Sequence, residues 1–305
     1  MLSARRIGED AEKAILLLPV ARGDTFYSLY SYLTVDEPAV HLIPLHFLPQ
    51  ASSGRIGESS LHELAVAAKV EYARNRWLDE LVDHPDRAPD LPSTHQLDEA
   101  LVALIYSRYA SVLDASAAAA FFPVLSNLYA RHGLSLILDS TRYRNPAASL
   151  SLEGYAEHAK TRHGPVRAPV DALLFLVGAA ESLLEQARAS WHQWALGVQF
   201  YDDALDIEED YRDRNLSWAV ARALRYFDGC SDGFATGGMP GPDAFYEKAL
   251  REGVISETLG QAEAFFAESA RLAGEIFPSW AIYQHACVSQ ARRLREDYEK
   301  LLAGA

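Results

Sequence analysis

Asp202, Asp206 and Asp210 recur every four residues in the stretch from Gln199 to Asn215, which reads Gln-Phe-Tyr-Asp-Asp-Ala-Leu-Asp-Ile-Glu-Glu-Asp-Tyr-Arg-Asp-Arg-Asn. Side chains four apart stack on one face of a helix. Three carboxylates then fall within about two turns and repel one another unless something neutralises them. A hard divalent cation does this, because Mg²⁺ takes oxygen ligands and bridges carboxylates to substrate phosphates. A solvated acidic face is the ordinary alternative. Against it, Trp191, Trp194, Leu196, Val198, Phe200 and Tyr201 come just before the acids. The helix is therefore expected to be largely buried, and clustered acids on a buried helix need a partner.

A second acidic feature is Asp79-Glu-Leu-Val-Asp83. Asp79 and Asp83 also share a helix face. They close an amphipathic helix, where acids oppose the macrodipole, so a structural reason for them is weak. If this helix faces the one carrying Asp202, the two sets could hold a cluster of Mg²⁺ at the mouth of a helical bundle. Two separate solvent patches are the other reading.

The elements that must position these acids are helical throughout. Long windows rich in Ala, Leu, Glu and Arg at helical spacing dominate, and strand signals are scarce. The pattern predicts short helices at 9–18 and 24–33, then a segment broken by prolines and glycines at 34–58. A strong helix starts near Ser59 or Ser60, with Glu63 completing a capping box, and stops before Pro85. Residues 85–95 read as a proline-rich loop. Further helices are expected at 96–113, 115–132, 133–141, 151–162, 170–188 and 190–212, and from Asn215 to Asp228. A Gly-rich loop at about 228–243 precedes two long helices near 255–276 and 279–302. The loop is expected to lie inside one domain, so residues 1–305 are read as a single all-α catalytic domain, with 1–58 the least patterned part.

The 305 residues are half apolar and carry a net charge of −14. That charge argues against a nucleic-acid partner and against an anionic membrane surface. Ala14 to Val20 is too short an apolar run to span a bilayer. Cys230 and Cys287 are too few for a disulfide framework. The expectation is a soluble cytoplasmic protein without membrane insertion, with a homodimer left open. No Cys-His cluster, Ser-His-Asp arrangement or phosphate-binding glycine loop stands out.

The two acidic stretches resemble the aspartate-rich motifs of class I isoprenoid synthases, a superfamily of terpene cyclases, squalene and phytoene synthases and chain-elongating prenyl diphosphate synthases. The resemblance implies a single-domain helical bundle of that type. It also implies motifs on opposing helices and three Mg²⁺ that grip a prenyl diphosphate substrate and draw it off an allylic carbon. Asp79, Asp83, Asp202, Asp206 and Asp210 would bind metal, with Glu80 and Asp203 as accessory acids. Asp79 to Asp83 is similar to the first motif of phytoene synthases. Gln199 to Asp210 is similar to the second motif of chain-elongating synthases, and also fits the cyclase triad. Arg212, Arg214 and Asn215-Leu216 resemble the tail after that triad, although Asp206 stands where a cyclase commonly has Ser or Thr.

Two departures bear on the branch. Chain-elongating enzymes follow the first motif with paired arginines, whereas Arg87 stands alone among acids here. Squalene and phytoene synthases follow the second motif with a Tyr-Leu-Pro segment, which Arg212 to Trp218 lacks. Both favour a single diphosphate substrate.

Diphosphate departure needs cations besides the metal. The helix containing Tyr155 to Arg162 resembles the one carrying the diphosphate-sensing arginine of cyclases, which makes Lys160 and Arg162 candidates and Arg167 a weaker one. Arg212 and Arg214 could swing toward diphosphate or pair with Glu208 and Glu209. Trp77, Phe175, Phe200, Tyr201, Trp280 and Tyr283 could line a dry cavity whose aromatic faces attract a carbocation, although each is more often simply core. Gly178 to Ala180 resembles the helix break beside the cation in many class I enzymes. The reading is an Mg²⁺-dependent terpene synthase that cyclises or rearranges the cation. A prenyltransferase joining two prenyl units is the alternative, as is a helical binding protein that kept the fold without the reaction.

Overall fold

The computed structural model describes residues 4–18, 29, 43–48, 56–83, 91–139, 150–227 and 240–304. Every regular element among them is helical, as the sequence predicts. The expected helix at 24–33, most of 34–58 and the Gly-rich loop lie largely outside the described residues. The chain divides into two compact units, residues 1–133 with 163–185 and residues 134–162 with 186–305.

The first unit holds α1 (Ala4–Leu16), α2 (Glu58–Asp83), α3 (Leu91–Val112), most of α4 (Ala115–Leu138), a 3₁₀ turn at Pro165–Arg167 and α6 (Ala168–Leu176). Its hub is α2, on which α1, α3, the 3₁₀ turn and α6 all pack. Ile7, Ala11, Ala14 and Ile15 are buried at helical spacing along α1, and Asp10 meets His62 of α2 at 2.9 Å. The capping box expected of Ser60 and Glu63 is not the arrangement found. The helix already starts at Glu58, and Glu63 Oε2 accepts a hydrogen bond from Arg108 of α3 at 2.7 Å.

Helix α3 begins at Leu91, earlier than expected, with Pro92 in its first turn. A proline there loses nothing, because the first-turn N–H groups have no intrahelical partner. One helix, α4, replaces the two expected over 115–141. Gly133 lies inside it with open space about its Cα. The apolar helix expected over 170–188 is instead divided. Its first part, α6, ends where Gly178 takes φ +64°, and Ala179 N–H and Gly178 N–H bond back to Leu174 O and Phe175 O. That is a Schellman stop, which glycine adopts without the strain of a Cβ.

The second unit contains α5 (Leu152–Arg162), most of α7 (Glu181–Leu205), α8 (Ile207–Arg212), α9 (Trp218–Leu224), α10 (Pro242–Arg251), α11 (Val254–Ala273) and α12 (Pro278–Gly304). Helix α10 follows the Gly-rich loop and was not expected. Helices α11 and α12 pack along one another. Ser190 of α7 and Ser269 of α11 exchange hydroxyl-to-carbonyl hydrogen bonds at 2.7 and 2.8 Å, and Trp280 Nε1 donates to Ser190 Oγ at 3.0 Å. One turn before the acidic stretch, a Cβ on Gly197 would stand 2.5 Å from the Phe266 ring. Gly197→Ala should therefore destabilise the protein by about 1–3 kcal/mol through overpacking. A lowered urea midpoint with an unchanged m-value would show it.

Candidate active site

The single helix expected over 190–212 is interrupted at Asp206, which separates α7 from α8 with φ −96° and ψ 9°. Its i to i−4 hydrogen bonds nonetheless run through the break, from Asp206 N–H to Asp202 O at 2.8 Å and from Asp210 N–H to Asp206 O at 2.7 Å. Asp202 and Asp206 are exposed, and Asp210 is half-buried. The row therefore passes from solvent toward the core.

Asp203 faces the other way. It is 2% exposed. Its Oδ2 accepts from the Tyr155 hydroxyl of α5 at 2.6 Å and from the Trp218 N–H that opens α9 at 2.9 Å. Its Oδ1 accepts from Gln199 Nε2 at 2.9 Å. Tyr155, Phe200 and Trp218 wall this carboxylate in, with ring centroids 5.7–6.0 Å apart. Tyr155 is positioned by Ser151, whose hydroxyl and carbonyl cap the start of α5.

Burial pushes the Asp203 carboxyl up to about 6 despite its three hydrogen bonds. Asp210 is raised to about 7, by burial first and by the Asp203 charge second, with Asp206 adding a smaller repulsion. Asp206 thus repels Asp210 as the four-residue spacing predicts, but the larger repulsion comes from Asp203, which lies outside that row. Only the Asn215 and Ser217 side chains oppose the rise at Asp210, and Asn215 Nδ2 donates to Asp210 Oδ1 at 2.9 Å.

The turn that brings Asn215 back is a Schellman motif with an unusual residue in it. Asn215 N–H bonds to Asp210 O at 2.7 Å and Arg214 N–H to Tyr211 O at 3.2 Å. Arg214 holds the left-handed position at φ 59°, the sole non-glycine with positive φ among the described residues. A Cβ there is strained by about 1–3 kcal/mol. Tyr211 anchors the turn by stacking on Phe245 at 3.7 Å and donating to Pro240 O at 2.7 Å.

The basic candidates are placed as follows. Arg212 is exposed and pairs with Glu208 at 2.6 Å, the i,i+4 alternative named above. Arg214 is exposed on the turn. On α5, Lys160 lies 3.9 Å from Glu157, and Arg162 lies 3.7 Å from Asp139, which also holds His158 at 2.7 Å. Arg167 belongs to the first unit and pairs with buried Asp171 at 3.0 Å.

Asp79 and Glu80 are half-buried near the end of α2 in the first unit, and the side chain of Asp83 lies outside the described residues. Of the aromatic candidates, Trp77, Phe200 and Trp280 are fully buried. Phe175 meets Phe121, Tyr283 stacks on Trp280, and Tyr201 accepts a hydrogen bond from Gln290.

Among the described residues, no three His, Cys, Asp or Glu side chains converge closely enough to hold a metal ion. What fits Mg²⁺ is the kind of donor: carboxylate oxygens on successive turns, one of them pushed toward neutrality by burial and then by its neighbours. The residues that sequence reasoning missed are Tyr155 and Ser217. Tyr155 shares the buried face of α5 with His158 and Ala159 at helical spacing, which is the signal that could have found it.

No family model matches the chain, and no curated protein matches it. Solved structures do. A geranylgeranyl pyrophosphate synthetase from the archaeon Geoglobus acetivorans is 15% identical over 96% of this chain and 98% of its own, with a TM-score of 0.76. A heptaprenyl diphosphate synthase from Staphylococcus aureus is 12% identical over 97% and 98%, with a TM-score of 0.72. A geranylgeranyl pyrophosphate synthase from Corynebacterium glutamicum, complexed with isoprenyl diphosphate and magnesium, is 16% identical over 95% and 99%, with a TM-score of 0.71. These are prenyl diphosphate synthases, and the expected leaning toward terpene cyclases finds no support in them. Identities this low speak to architecture: the chain has the all-helical fold of the class I isoprenoid synthases.

Proposed function

We propose that this protein is a divalent-metal-dependent prenyltransferase that ionises an allylic prenyl diphosphate and joins the prenyl group to a second prenyl unit. The observation that carries this reading is the row Asp202, Asp206, Asp210, with Asp210 raised to about 7 by burial and by neighbouring acids. A bound cation would reverse that rise. Such a row on a fold otherwise seen in prenyl diphosphate synthases favours metal–diphosphate chemistry over a solvated acidic face. Asp202, Asp206 and Asp210 would hold Mg²⁺, and Asp79, Asp83 and Glu80 are the acids proposed to serve the same purpose on α2. Three ions remain the proposed number.

The leaving diphosphate gathers negative charge as the allylic C–O bond breaks, and Mg²⁺ would stabilise that charge. Lys160, Arg162, Arg212 and Arg214 are the proposed protein cations for the same task. Arg212 would have to leave Glu208, an exposed pair worth little. Asp203 would not ligate. Its three hydrogen bonds make it the anchor that sets the end of α7 against α5 and α9.

A second reading is cyclisation of a single prenyl diphosphate. It is favoured by the Asn215 amide bonded to Asp210, which ties the Asn-Leu tail to the acidic row, and by the lone Arg87 after the first acidic pair. Incubation with Mg²⁺ and geranyl, farnesyl or geranylgeranyl diphosphate, with and without isopentenyl diphosphate, separates the two. Longer prenyl diphosphates formed only with the second substrate are expected. Cyclic products from one substrate alone would establish the second reading. No diphosphate release under any condition would leave only a binding role. Mg²⁺ with inorganic diphosphate at millimolar concentration should also raise Tm, because a ligand bound only to the folded state stabilises it.

A further inference from the structure

The cations proposed to meet the diphosphate differ in what holds them before it arrives. Arg212 and Lys160 pair with Glu208 and Glu157, whose side chains are 42% and 60% exposed. Water screens such pairs, so releasing them costs little. Arg162 is held otherwise. Its partner is Asp139, the residue that follows α4, and only 14% of that side chain is exposed.

Asp139 answers two groups at once. His158 Nε2 stands at hydrogen-bonding distance from its Oδ1, 2.7 Å away, on a side chain 6% exposed. Arg162 Nη1 stands 3.7 Å from its Oδ2, a charge contact longer than a hydrogen bond. Oδ2 is itself buried and accepts no hydrogen bond. His158 and Arg162 are four apart, so they share one face of α5. The recessed carboxylate thus has one tight partner and one loose one, both on the same helix. That helix is tied to the one carrying the acidic row, through the Tyr155 hydroxyl and Asp203 at 2.6 Å. At 1.5 Å per residue Arg162 lies about 10 Å along α5 from Tyr155.

The unequal grip gives this arrangement a use. A carboxylate out of water must be answered. The His158 hydrogen bond answers Asp139 whether or not the guanidinium stays beside it, so Arg162 can depart without stranding a bare charge. A diphosphate is the better partner for it, because the planar guanidinium fork matches phosphate oxygens in pairs.

We propose that Asp139 is a parking site from which Arg162 transfers to the diphosphate, and that His158 permits the transfer by keeping Asp139 answered. This rests on the reading above, in which Arg162 meets the diphosphate. Asp139 and His158 are then positioning residues that act through Arg162. Asp139 competes with the diphosphate for the guanidinium, and it draws the guanidinium back when the diphosphate leaves as product. The two residues therefore act with opposite signs. Removing the Asp139 charge should tighten diphosphate binding, whereas removing the His158 donor should weaken it, because Asp139 would then hold Arg162 as its one remaining partner of the two.

Calorimetric titration of the full chain with inorganic diphosphate in the presence of Mg²⁺ tests this. Arg162→Gln should weaken binding about tenfold, the loss of a hydrogen bond to a charged group. Asp139→Asn should tighten it about threefold or more, and His158→Phe should weaken it by a similar factor, as expected of neighbours that share a partner. His158→Gln, which still donates, should stay near wild type. In the Arg162→Gln background both changes should vanish. Weaker binding by Asp139→Asn, which loss of a merely structural contact would give, overturns the proposal, as do effects that persist without Arg162. Binding equal in wild type and Arg162→Gln overturns this inference alone. No binding by the wild type overturns the function proposed above, and this inference with it. A crystal structure of the wild type with Mg²⁺ and diphosphate decides the matter even where a variant does not fold. Arg162 is expected on the diphosphate with His158 still on Asp139, and a guanidinium left on Asp139 overturns the proposal.

Discussion

Glu71→Gln should make the protein about 3 kcal/mol more stable at pH 8 while changing it little at pH 4. Burial raises the Glu71 carboxyl from 4.5 to about 7, against the opposing influence of the Tyr109 and Tyr129 hydroxyls and the Arg74 charge. Below 4.5 the carboxyl is neutral in the folded and unfolded chains, and its burial carries no charge penalty. Between 4.5 and about 7 the unfolded chain releases this proton while the folded chain keeps it, so the unfolded state binds fewer protons. Stability then falls as pH rises, and the loss is complete above the folded value. Glutamine has the same shape, accepts from Tyr109 and never ionises, so it removes the slope. Urea midpoints of the two proteins at pH 4, 6 and 8 measure it. A difference that does not grow across this window would mean that the carboxyl is not desolvated as the fold implies.

Asp203 and Asp210 bend the profile the same way, from 3.8 to about 6 and about 7 respectively. The wild-type protein should therefore be most stable on the acid side of neutrality, the reverse of a protein held by paired carboxylates.

How much of this was legible in the sequence depends on which physical signal carried it. Helical periodicity and proline placement located α2, α5, α11 and α12, because each has a long stripe or a clear stop. The spacing of Asp202, Asp206 and Asp210 gave the acidic row, and the helix break near Gly178 came from resemblance. What failed were features decided by tertiary contact. Residues 202 to 210 keep helical hydrogen bonding while Asp206 leaves helical geometry, and no local pattern announces that. Arg214 occupies a left-handed position where Gly or Asn would be the readable residue. Asp203 read as an accessory acid from its neighbours, although the residue after Asp202 points about 100° away around the helix. Glu71 carried a signal that was passed over. It lies on the same stripe as Leu64, Ala68 and Asn75, a charged residue at a core position.

Asp203→Ala and Asp206→Ala, three positions apart, should fail in opposite ways. Removing the Asp203 carboxylate leaves the Tyr155 hydroxyl, the Trp218 N–H and the Gln199 amide without the acceptor they share. Buried donors left unmet should lower stability by about 3 kcal/mol. Asp206 is exposed, and the interactions of an exposed carboxylate are worth little, so Asp206→Ala should shift stability by only about 0.5–1 kcal/mol. Its effect is expected in the chemistry instead. Losing one of three carboxylates that would hold Mg²⁺ should slow metal-dependent diphosphate release about a hundredfold or more, beyond the loss typical of groups that merely orient ligands. It should also abolish the rise in Tm caused by Mg²⁺ with diphosphate. Denaturant titration and a diphosphate-release assay on the same two variants read both axes. An Asp206→Ala protein that keeps its rate and its thermal shift would remove the acidic row from the mechanism. A stable Asp203→Ala protein would mean that α5, α7 and α9 are held in place by something other than that carboxylate. The two acids stand side by side in the sequence pattern, and separating stability loss from rate loss assigns the inward one to the scaffold and the outward one to the metal.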